Sequence, residues 1–112
     1  MRFAKGIVRQ LGGMNKTEAR YAQELQLMQR ADLIRWHGFE AVKLRLADNT
    51  FYTPDFAVVA QDGVLEMHEV KGFWEDDARV KIKVAASLFP FRFIAVRAIP
   101  KRKGGGWERE EF

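Results

Sequence analysis

Cysteine is absent from this chain of 112 residues. Its absence excludes disulfide bridges, thiolate zinc sites and a cysteine nucleophile, and it is typical of proteins of the reducing cytoplasm. Histidine occurs only as His37 and His68, so a histidine-rich metal site is excluded as well. Any bound metal would therefore be a hard cation held by oxygen ligands.

Serine and long apolar stretches are equally scarce. Ser87 is the only serine, it lies inside a predicted helix, and no G-x-S-x-G pattern is present, which argues against serine-nucleophile chemistry. The apolar runs are far shorter than a membrane span, and residues 1–10 lack the continuous apolar stretch of a signal peptide. We therefore expect no membrane partner and a cytoplasmic location.

Positive charge is concentrated at the start of the chain. The formal net charge is +4, and the first thirty residues contain six lysines and arginines against Glu18 and Glu24. The whole excess therefore lies in this segment. Such a segment is compatible with a nucleic-acid partner that is bound through its phosphates.

A long helix is predicted near the N-terminus, after a basic arm over residues 1–14. Asn15 and Thr17 are suitable N-caps, and strong helix formers follow them. The helix is predicted to run to about Trp36, with Gly38 as its C-terminal stop. One face carries a stripe at helical spacing, made of Glu18, Tyr21, Ala22, Leu25 and Met28.

Three strands in a meander are predicted next. Residues 39–46 are predicted to form a half-buried strand, because Val42, Leu44 and Leu46 alternate with Lys43 and Arg45, and Asp48-Asn49 marks a turn. An apolar run over residues 56–60 is joined by the turn at residues 61–63 to a third strand over residues 64–71.

A second helix and a fourth strand complete the prediction. Asp76 or Asp77 can cap the helix, whose apolar residues recur at helical spacing until Pro90 ends it. Residues 91–97 form a strand that a strand–helix–strand crossover makes parallel to its neighbour. Residues 101–112 are predicted to form a tail, flexible over residues 101–106, with Trp107 as the residue that could dock it.

The predicted architecture is α/β, with helices on both faces of a small mixed sheet built from the three-stranded meander and the crossover strand. One domain spans residues 15–100, between the arm over residues 1–14 and the tail over residues 101–112.

Two carboxylates are predicted to meet at one end of the hairpin. Pro54-Asp55 opens the second strand and Glu69-Val70-Lys71 closes the third. Counting outward from the turn at Asp62 places Asp55 near Glu69, and the period of two places Glu69 and Lys71 on one face. The alternatives are a strand-entry role for Asp55 and a surface ion pair between Glu69 and Lys71.

A divalent cation such as Mg²⁺ would relieve the repulsion between these carboxylates. Asp55, Glu69 and the Val70 carbonyl could supply oxygen ligands, and Lys71 could orient or help deprotonate an attacking water. Glu18 is the candidate third acid because its stripe is predicted to face the sheet. Its alternative is an N-terminal acid favoured by the helix dipole, and Glu24 is the rival third acid.

These residues resemble a known signature. Pro54-Asp55, thirteen intervening residues and Glu69-Val70-Lys71-Gly72 resemble the motif of the PD-(D/E)XK nucleases. The sequence Asn-Lys-Thr-Glu-Ala-Arg-Tyr over residues 15–21 is similar to that of a group of small phage-encoded proteins assigned to the same superfamily. The resemblance covers roughly residues 15–98 and implies a restriction-endonuclease-like fold.

The resemblance implies a metal-dependent DNA endonuclease that hydrolyses phosphodiester bonds with Mg²⁺, for which Mn²⁺ can substitute. Glu18, Asp55 and Glu69 match the metal-binding acids of the family, and Lys71 matches its catalytic lysine. Phage members include junction-resolving endonucleases that act as dimers on branched DNA. The resemblance thus further implies a Holliday-junction substrate, a homodimer and the cytoplasm of a bacterial host.

Four basic residues are candidates for holding the DNA backbone: Lys16, Arg20, Arg79 and Lys83. For Arg79 and Lys83 the alternative is a solvated helix face. His68 points away from the face of Glu69 and is predicted to be packed or exposed rather than catalytic. The main alternative function is a catalytically silent nuclease-fold module that holds DNA or a phage assembly partner.

Overall fold

The computed structural model describes residues 13–71 and 76–112. Residues 1–12 of the predicted arm, and the side chains of the predicted caps Asp76 and Asp77, lie outside the described part. The described residues form α1 (Lys16–Arg30), β1 (Ile34–Phe39), β2 (Leu44–Ala47), β3 (Thr50–Tyr52), β4 (Phe56–Ala60), β5 (Leu65–Lys71), α2 (Asp76–Leu88), β6 (Arg92–Ala98), a 3-10 helix (Lys101–Lys103) and β7 (Trp107–Glu111).

Helix α1 begins as predicted and ends six residues early. Asn15 and Glu18 form a capping box, in which each side chain accepts a hydrogen bond from the backbone N–H of the other. The helix stops at Arg30 because the chain turns through Asp32, which has a left-handed φ of 60°. The prediction of helix up to Trp36 is therefore wrong, and the following residues form strand β1.

Strand β1 owes its place to tertiary pairing rather than to local propensity. It pairs antiparallel with β4, and Ile34 and Phe39 are its buried ends. Gly38, predicted to stop a helix, lies in this strand opposite Ala57. A Cβ at Gly38 would lie 2.7 Å from the Trp36 ring, so any larger residue here would have to displace the exposed Trp36 side chain.

The strand predicted over residues 39–46 is also wrong in its bounds. Glu40 adopts a left-handed φ of 47° directly after β1, which breaks the chain direction there. Strand β2 starts four residues later and pairs with the short strand β3 around the predicted turn at Asp48-Asn49. These two strands form a separate two-stranded sheet, so the meander is built from β1, β4 and β5 instead.

The second half of the chain follows the prediction closely. Strands β4 and β5 form the expected hairpin across Gln61–Gly63, and α2 ends before Pro90. Strand β6 is parallel to β5, as the crossover requires. The main sheet has the order β1-β4-β5-β6-β7 and contains both parallel and antiparallel pairs, which confirms the mixed sheet.

Residues 101–112 belong to the sheet, and the prediction of a separate tail is wrong. Strand β7 pairs antiparallel with β6, from Ile94 opposite Glu111 to Ala98 opposite Trp107. The docking role of Trp107 is confirmed, because its ring meets that of Tyr21 edge to face at a centroid distance of 4.9 Å.

The two helices cover opposite faces of the main sheet, as predicted. On one face, α1 buries Tyr21 and Leu25 against Phe56, Val58 and Ile94. On the other face, α2 and the two-stranded sheet form a second core: Leu44, Tyr52, Ala57, Met67, Ile82, Ala85 and Phe93. Neither helix in the described part has the length and apolar character needed to cross a membrane.

Candidate active site

The candidate site lies where β4 begins and β5 ends. Phe56 is opposite His68 in the antiparallel register, so the next step places Asp55 across from Glu69. A carboxylate oxygen of Asp55, Oδ2, accepts a hydrogen bond of 2.8 Å from the Val70 backbone N–H. The structure thus brings Asp55 to the end of β5, where counting outward from the turn predicted it.

Glu69 is held by a partner on each carboxylate oxygen. Tyr52 Oη donates a hydrogen bond of 2.6 Å to Oε1, and Lys71 Nζ lies 3.1 Å from Oε2. Glu69 is 8% exposed, whereas the side chain of Lys71 is 26% exposed. The carboxylate is therefore fixed in orientation, and the ammonium beside it remains accessible to a substrate.

Tyr52 is a site residue that the sequence did not reveal. It comes from the end of β3 and is 8% exposed, with its hydroxyl directed at Glu69. Burial and the charge of Glu69 raise the pKa of Tyr52 far above its usual range, so the hydroxyl stays protonated and donates. The available signal was an aromatic residue just before Pro54-Asp55, which by itself does not identify a partner.

Asp55 is electrostatically crowded. Burial is the main cause that raises the pKa of Asp55 to about 8, and the nearby charge of Glu69 adds to it. The Val70 N–H and the Lys71 ammonium lower the pKa by less than these causes raise it. The ionised form of Asp55 is therefore disfavoured at this corner of the sheet, and a further cation beside it would favour ionisation.

The Val70 carbonyl faces the same corner. In an extended strand the N–H and C=O of one residue point to the same side, and the Val70 N–H points to Asp55. Continuing the ladder places Pro54 opposite Val70, and proline has no N–H to donate to that carbonyl. The Val70 oxygen is thus directed to the β4 side of β5, where the ladder offers it no N–H donor.

Glu18 is near the pair but is held by its own helix. Its Oε1 accepts the Asn15 N–H at 2.9 Å, yet its charge still contributes to the raised pKa of Asp55. Glu24, the rival third acid, instead lies beside Tyr21 and Trp107. Of the two acids, only Glu18 is found to influence Asp55.

Within residues 13–71 and 76–112, no three Asp, Glu or His side chains gather closely enough to hold a metal ion. The structure brings together Asp55, Glu69 and Lys71 but does not place Glu18 in a three-acid cluster with them. The oxygen donors that remain are two carboxylates and the Val70 carbonyl. This set fits a hard divalent cation that keeps several of its waters, as Mg²⁺ does.

The predicted DNA contacts differ in their surroundings. Arg79 makes a two-pronged ion pair with Glu110, at 2.9 and 3.2 Å, and lies over the Phe112 ring. The Arg20 guanidinium lies 5.6 Å from the centre of the Trp107 ring. Lys16 and Lys83 are exposed. Arg79 thus links α2 to β7, a contact that the sequence did not reveal.

His68 is packed, as predicted. It is 1% exposed, with Nδ1 2.6 Å from Tyr21 Oη and Nε2 2.8 Å from Glu66 Oε1. Glu66 in turn accepts from Arg92, so the network ties α1 to β5 and β6. This network lies on the sheet face opposite Glu69 and supports the fold beneath the site.

Replacing Tyr52 with phenylalanine tests how Glu69 is held. We expect the free energy of unfolding to fall by about 1–3 kcal/mol, because a buried carboxylate oxygen loses its donor. We also expect weaker Mg²⁺ binding, since Glu69 is no longer fixed. Urea unfolding and calorimetric titration with Mg²⁺ measure the two effects.

Tyr21→Phe is the matched control because it also removes a buried hydroxyl, the one that contacts His68. It should lower stability while leaving Mg²⁺ binding unchanged. Equal loss of Mg²⁺ affinity in both variants would show that the Tyr52 hydroxyl has no particular effect on the site.

The raised pKa of Asp55 predicts a pH-dependent stability. Folded Asp55 holds its proton up to a pH of about 8, whereas the unfolded residue releases it near 3.8. Unfolding in this window releases a proton, so the Asp55 contribution is complete below pH 4 and is lost as the pH rises toward 8. Urea unfolding in EDTA from pH 4 to 9 should show this loss, and Asp55→Asn should remove it. Parallel curves for the two proteins would contradict the prediction.

Comparison of the chain with protein-family models, with curated proteins and with solved structures finds no match.

Proposed function

We propose that the protein is a metal-dependent DNA endonuclease with a restriction-endonuclease-like fold. The observation that carries the proposal is the juxtaposition of Asp55, Glu69 and Lys71 at one end of a hairpin, with Lys71 Nζ 3.1 Å from Glu69. Carboxylate and carbonyl oxygens can hold a divalent cation for phosphodiester hydrolysis, and an ammonium beside them can orient the attacking water.

Each residue has a distinct role in this proposal. Asp55, Glu69 and the Val70 carbonyl hold a divalent cation, Mg²⁺ with Mn²⁺ as a substitute. When bound, the cation supplies the positive charge that polarises a phosphoryl oxygen. Lys71 orients a water for attack on phosphorus, and Tyr52 fixes the Glu69 carboxylate. Glu18 adds negative charge at the edge of the site without contacting the cation directly.

The opposing hypothesis is a nuclease-like scaffold that binds DNA without cutting it. A binding module has no need of a buried carboxylate pair, because burying charge without strong compensation costs several kcal/mol. Burial and the neighbouring charge of Glu69 raise the pKa of Asp55 to about 8, so its ionised form is poorly compensated by the protein alone. This arrangement favours the enzyme.

Incubation with DNA distinguishes the two hypotheses. Supercoiled plasmid and a four-way junction are each incubated with the purified protein in Mg²⁺, Mn²⁺ or EDTA. We expect cleavage with either cation and none in EDTA, and preferential cutting of the junction would identify a junction-resolving enzyme. No cleavage under any condition, with DNA still bound in a gel-shift assay, would identify the binding module.

We further propose that the enzyme acts as a homodimer, because two symmetric sites are the simplest way to cut two strands. Light scattering should then give twice the 13.0 kDa of the chain. A mass that corresponds to one chain, both for the free protein and for the protein in its complex with DNA, would contradict this part of the proposal.

A further inference from the structure

The link between β6 and β7 contains a compact basic loop. We call this loop, residues 101–106, the basic arch. Three consecutive cations, Lys101–Lys103, form a 3-10 helix, and Gly104–Gly106 lead into β7. All three glycines have positive φ, between 69° and 110°, a conformation that other residues rarely adopt. The arch therefore depends on its glycine run for its shape.

Backbone hydrogen bonds hold the arch in place. Pro100 accepts bonds from Lys103 and Gly105, at 2.8 and 3.1 Å, and the Ile99 N–H donates to Gly106 at 2.9 Å. These bonds tie both ends of the arch to the end of the sheet. The three cations thus lie on a loop that is held by backbone hydrogen bonds, and this order lowers the entropy cost of binding a partner.

The arch lies at the same end of the main sheet as the candidate active site. Strands β5 and β6 are parallel, with Lys71 opposite Arg97, so their C-terminal ends lie side by side at this end. The arch begins four residues after Arg97. Arg20 of α1 faces its first residue across a groove lined by Arg20, Ala98, Ile99, Pro100 and Lys101.

The cations of the arch have no carboxylate partner in the described part of the chain. Lys101, Arg102 and Lys103 are exposed and form no ion pair there. The acid that shares a groove with Lys103 is Glu108, and its Oε1 already pairs with Arg97 at 2.7 Å. Positive charge therefore accumulates at this end of the sheet, which also holds Asp55 and Glu69.

We propose that the basic arch and Arg20 together bind the sugar–phosphate backbone of the DNA strand beside the cleavage site. This inference rests on the proposed function, because it assigns the anionic partner as the nuclease substrate. Exposed, unpaired and pre-shaped cations suit phosphates, which are bound by charge and without reading sequence. The arch would position the strand across the ends of β5 and β6, so that a phosphate reaches Lys71.

The salt dependence of DNA binding tests the arch. Fluorescence anisotropy with a labelled duplex, recorded in EDTA, measures binding without cleavage. Each phosphate contact contributes about 0.9 to the slope of log affinity against log salt. The variant Lys101→Gln/Lys103→Gln should reduce this slope by about 2 and weaken binding, whereas Lys101→Arg/Lys103→Arg should retain both.

Arg30→Gln/Arg35→Gln is the matched control. It removes the same amount of charge at the opposite end of the strands, where Arg35 donates a hydrogen bond to the Gln61 carbonyl next to the hairpin turn. We expect the control to keep the slope of the original protein. A slope unchanged in the arch variant, or reduced equally in both variants, would overturn the proposal.

The outcome for the arch is separable from that for the nuclease. The arch variant could show a reduced salt slope of DNA binding while the original protein cuts no DNA. This result would support DNA binding by the arch and refute the proposed nuclease activity. Conversely, the original protein could cut DNA while the arch variant keeps the salt slope of DNA binding. This result would support the nuclease activity and refute the role of the arch. Thermal unfolding of each variant, followed by circular dichroism, verifies that these exposed substitutions leave the fold intact.

Discussion

Asp55→Asn is expected to abolish DNA cleavage while the protein stays folded and still binds DNA. A bound divalent cation contributes several kcal/mol to such a reaction, so loss of a carboxylate ligand should lower the rate by about 10³-fold or more. The asparagine oxygen can still accept the Val70 N–H, so the hairpin end is retained. A plasmid-cleavage time course in Mg²⁺, together with DNA binding by anisotropy, measures both expectations.

The stability of this variant gives an independent result. Burial is the main cause that raises the pKa of Asp55, and the charge of Glu69 adds to it; a neutral asparagine avoids both the burial of a charge and this repulsion. At pH 9, where wild-type Asp55 is ionised, the variant should be the more stable protein in EDTA.

Asp62→Asn is the matched control for Asp55→Asn. It is the same chemical change in the same hairpin, but it lies at the turn, where Asp62 pairs with Arg92 and accepts the Val64 N–H. The control should cut DNA at the wild-type rate. Wild-type cleavage by Asp55→Asn would show that Asp55 does not hold the metal.

Lys71→Met should lower the cleavage rate by about 10²–10⁴-fold, the range associated with a positioned acid–base group. Methionine keeps an unbranched side chain as far as the ε position but removes the ammonium beside Glu69 Oε2. Mg²⁺ binding should be largely retained, because lysine is not a metal ligand. Single-turnover cleavage at saturating Mg²⁺ separates a loss of chemistry from a loss of metal.

The control for this change is Lys81→Met on an exposed position of α2. It should leave the rate unchanged. A Lys71→Met protein that cuts as fast as the control would remove Lys71 from the proposed chemistry, and a parallel loss of Mg²⁺ binding would make its role structural.

The sequence predicts the position of the site residues better than it predicts the two edge strands of the main sheet, β1 and β7. A short turn at residues 61–63 fixes the register of the β4–β5 hairpin, so counting residues was enough to place Asp55 at the end of β5 near Glu69. The parallel strand β6 followed from the amphipathic helix between two apolar runs, since such crossovers have few solutions.

Strands β1 and β7 were missed because their positions depend on distant partners. Strand β1 follows directly on helix formers, and only its pairing with β4 distinguishes it from a continued helix. Strand β7 is rich in charge, with Arg109 and three glutamates, and it follows a glycine run that is typical of a linker. Both are edge strands of the main sheet, where charged or irregular sequences are common.

The contact between Tyr52 and Glu69 could not be predicted for a related reason. Seventeen residues separate them, and Tyr52 reaches the site only because the two-stranded sheet folds over the α2 face. The acidic cluster with Glu18 was predicted from its stripe and from the family resemblance, and neither specifies that its carboxylate caps its own helix at Asn15.

A crystal soaked in Mn²⁺ shows whether Asp55 and Glu69 share a divalent cation, because anomalous scattering locates the ion without reference to activity. We expect one peak at about 2.1 Å from carboxylate oxygens of both Asp55 and Glu69, and none in Asp55→Asn crystals. No peak at that corner at millimolar Mn²⁺, with the two side chains directed into solvent, would contradict it.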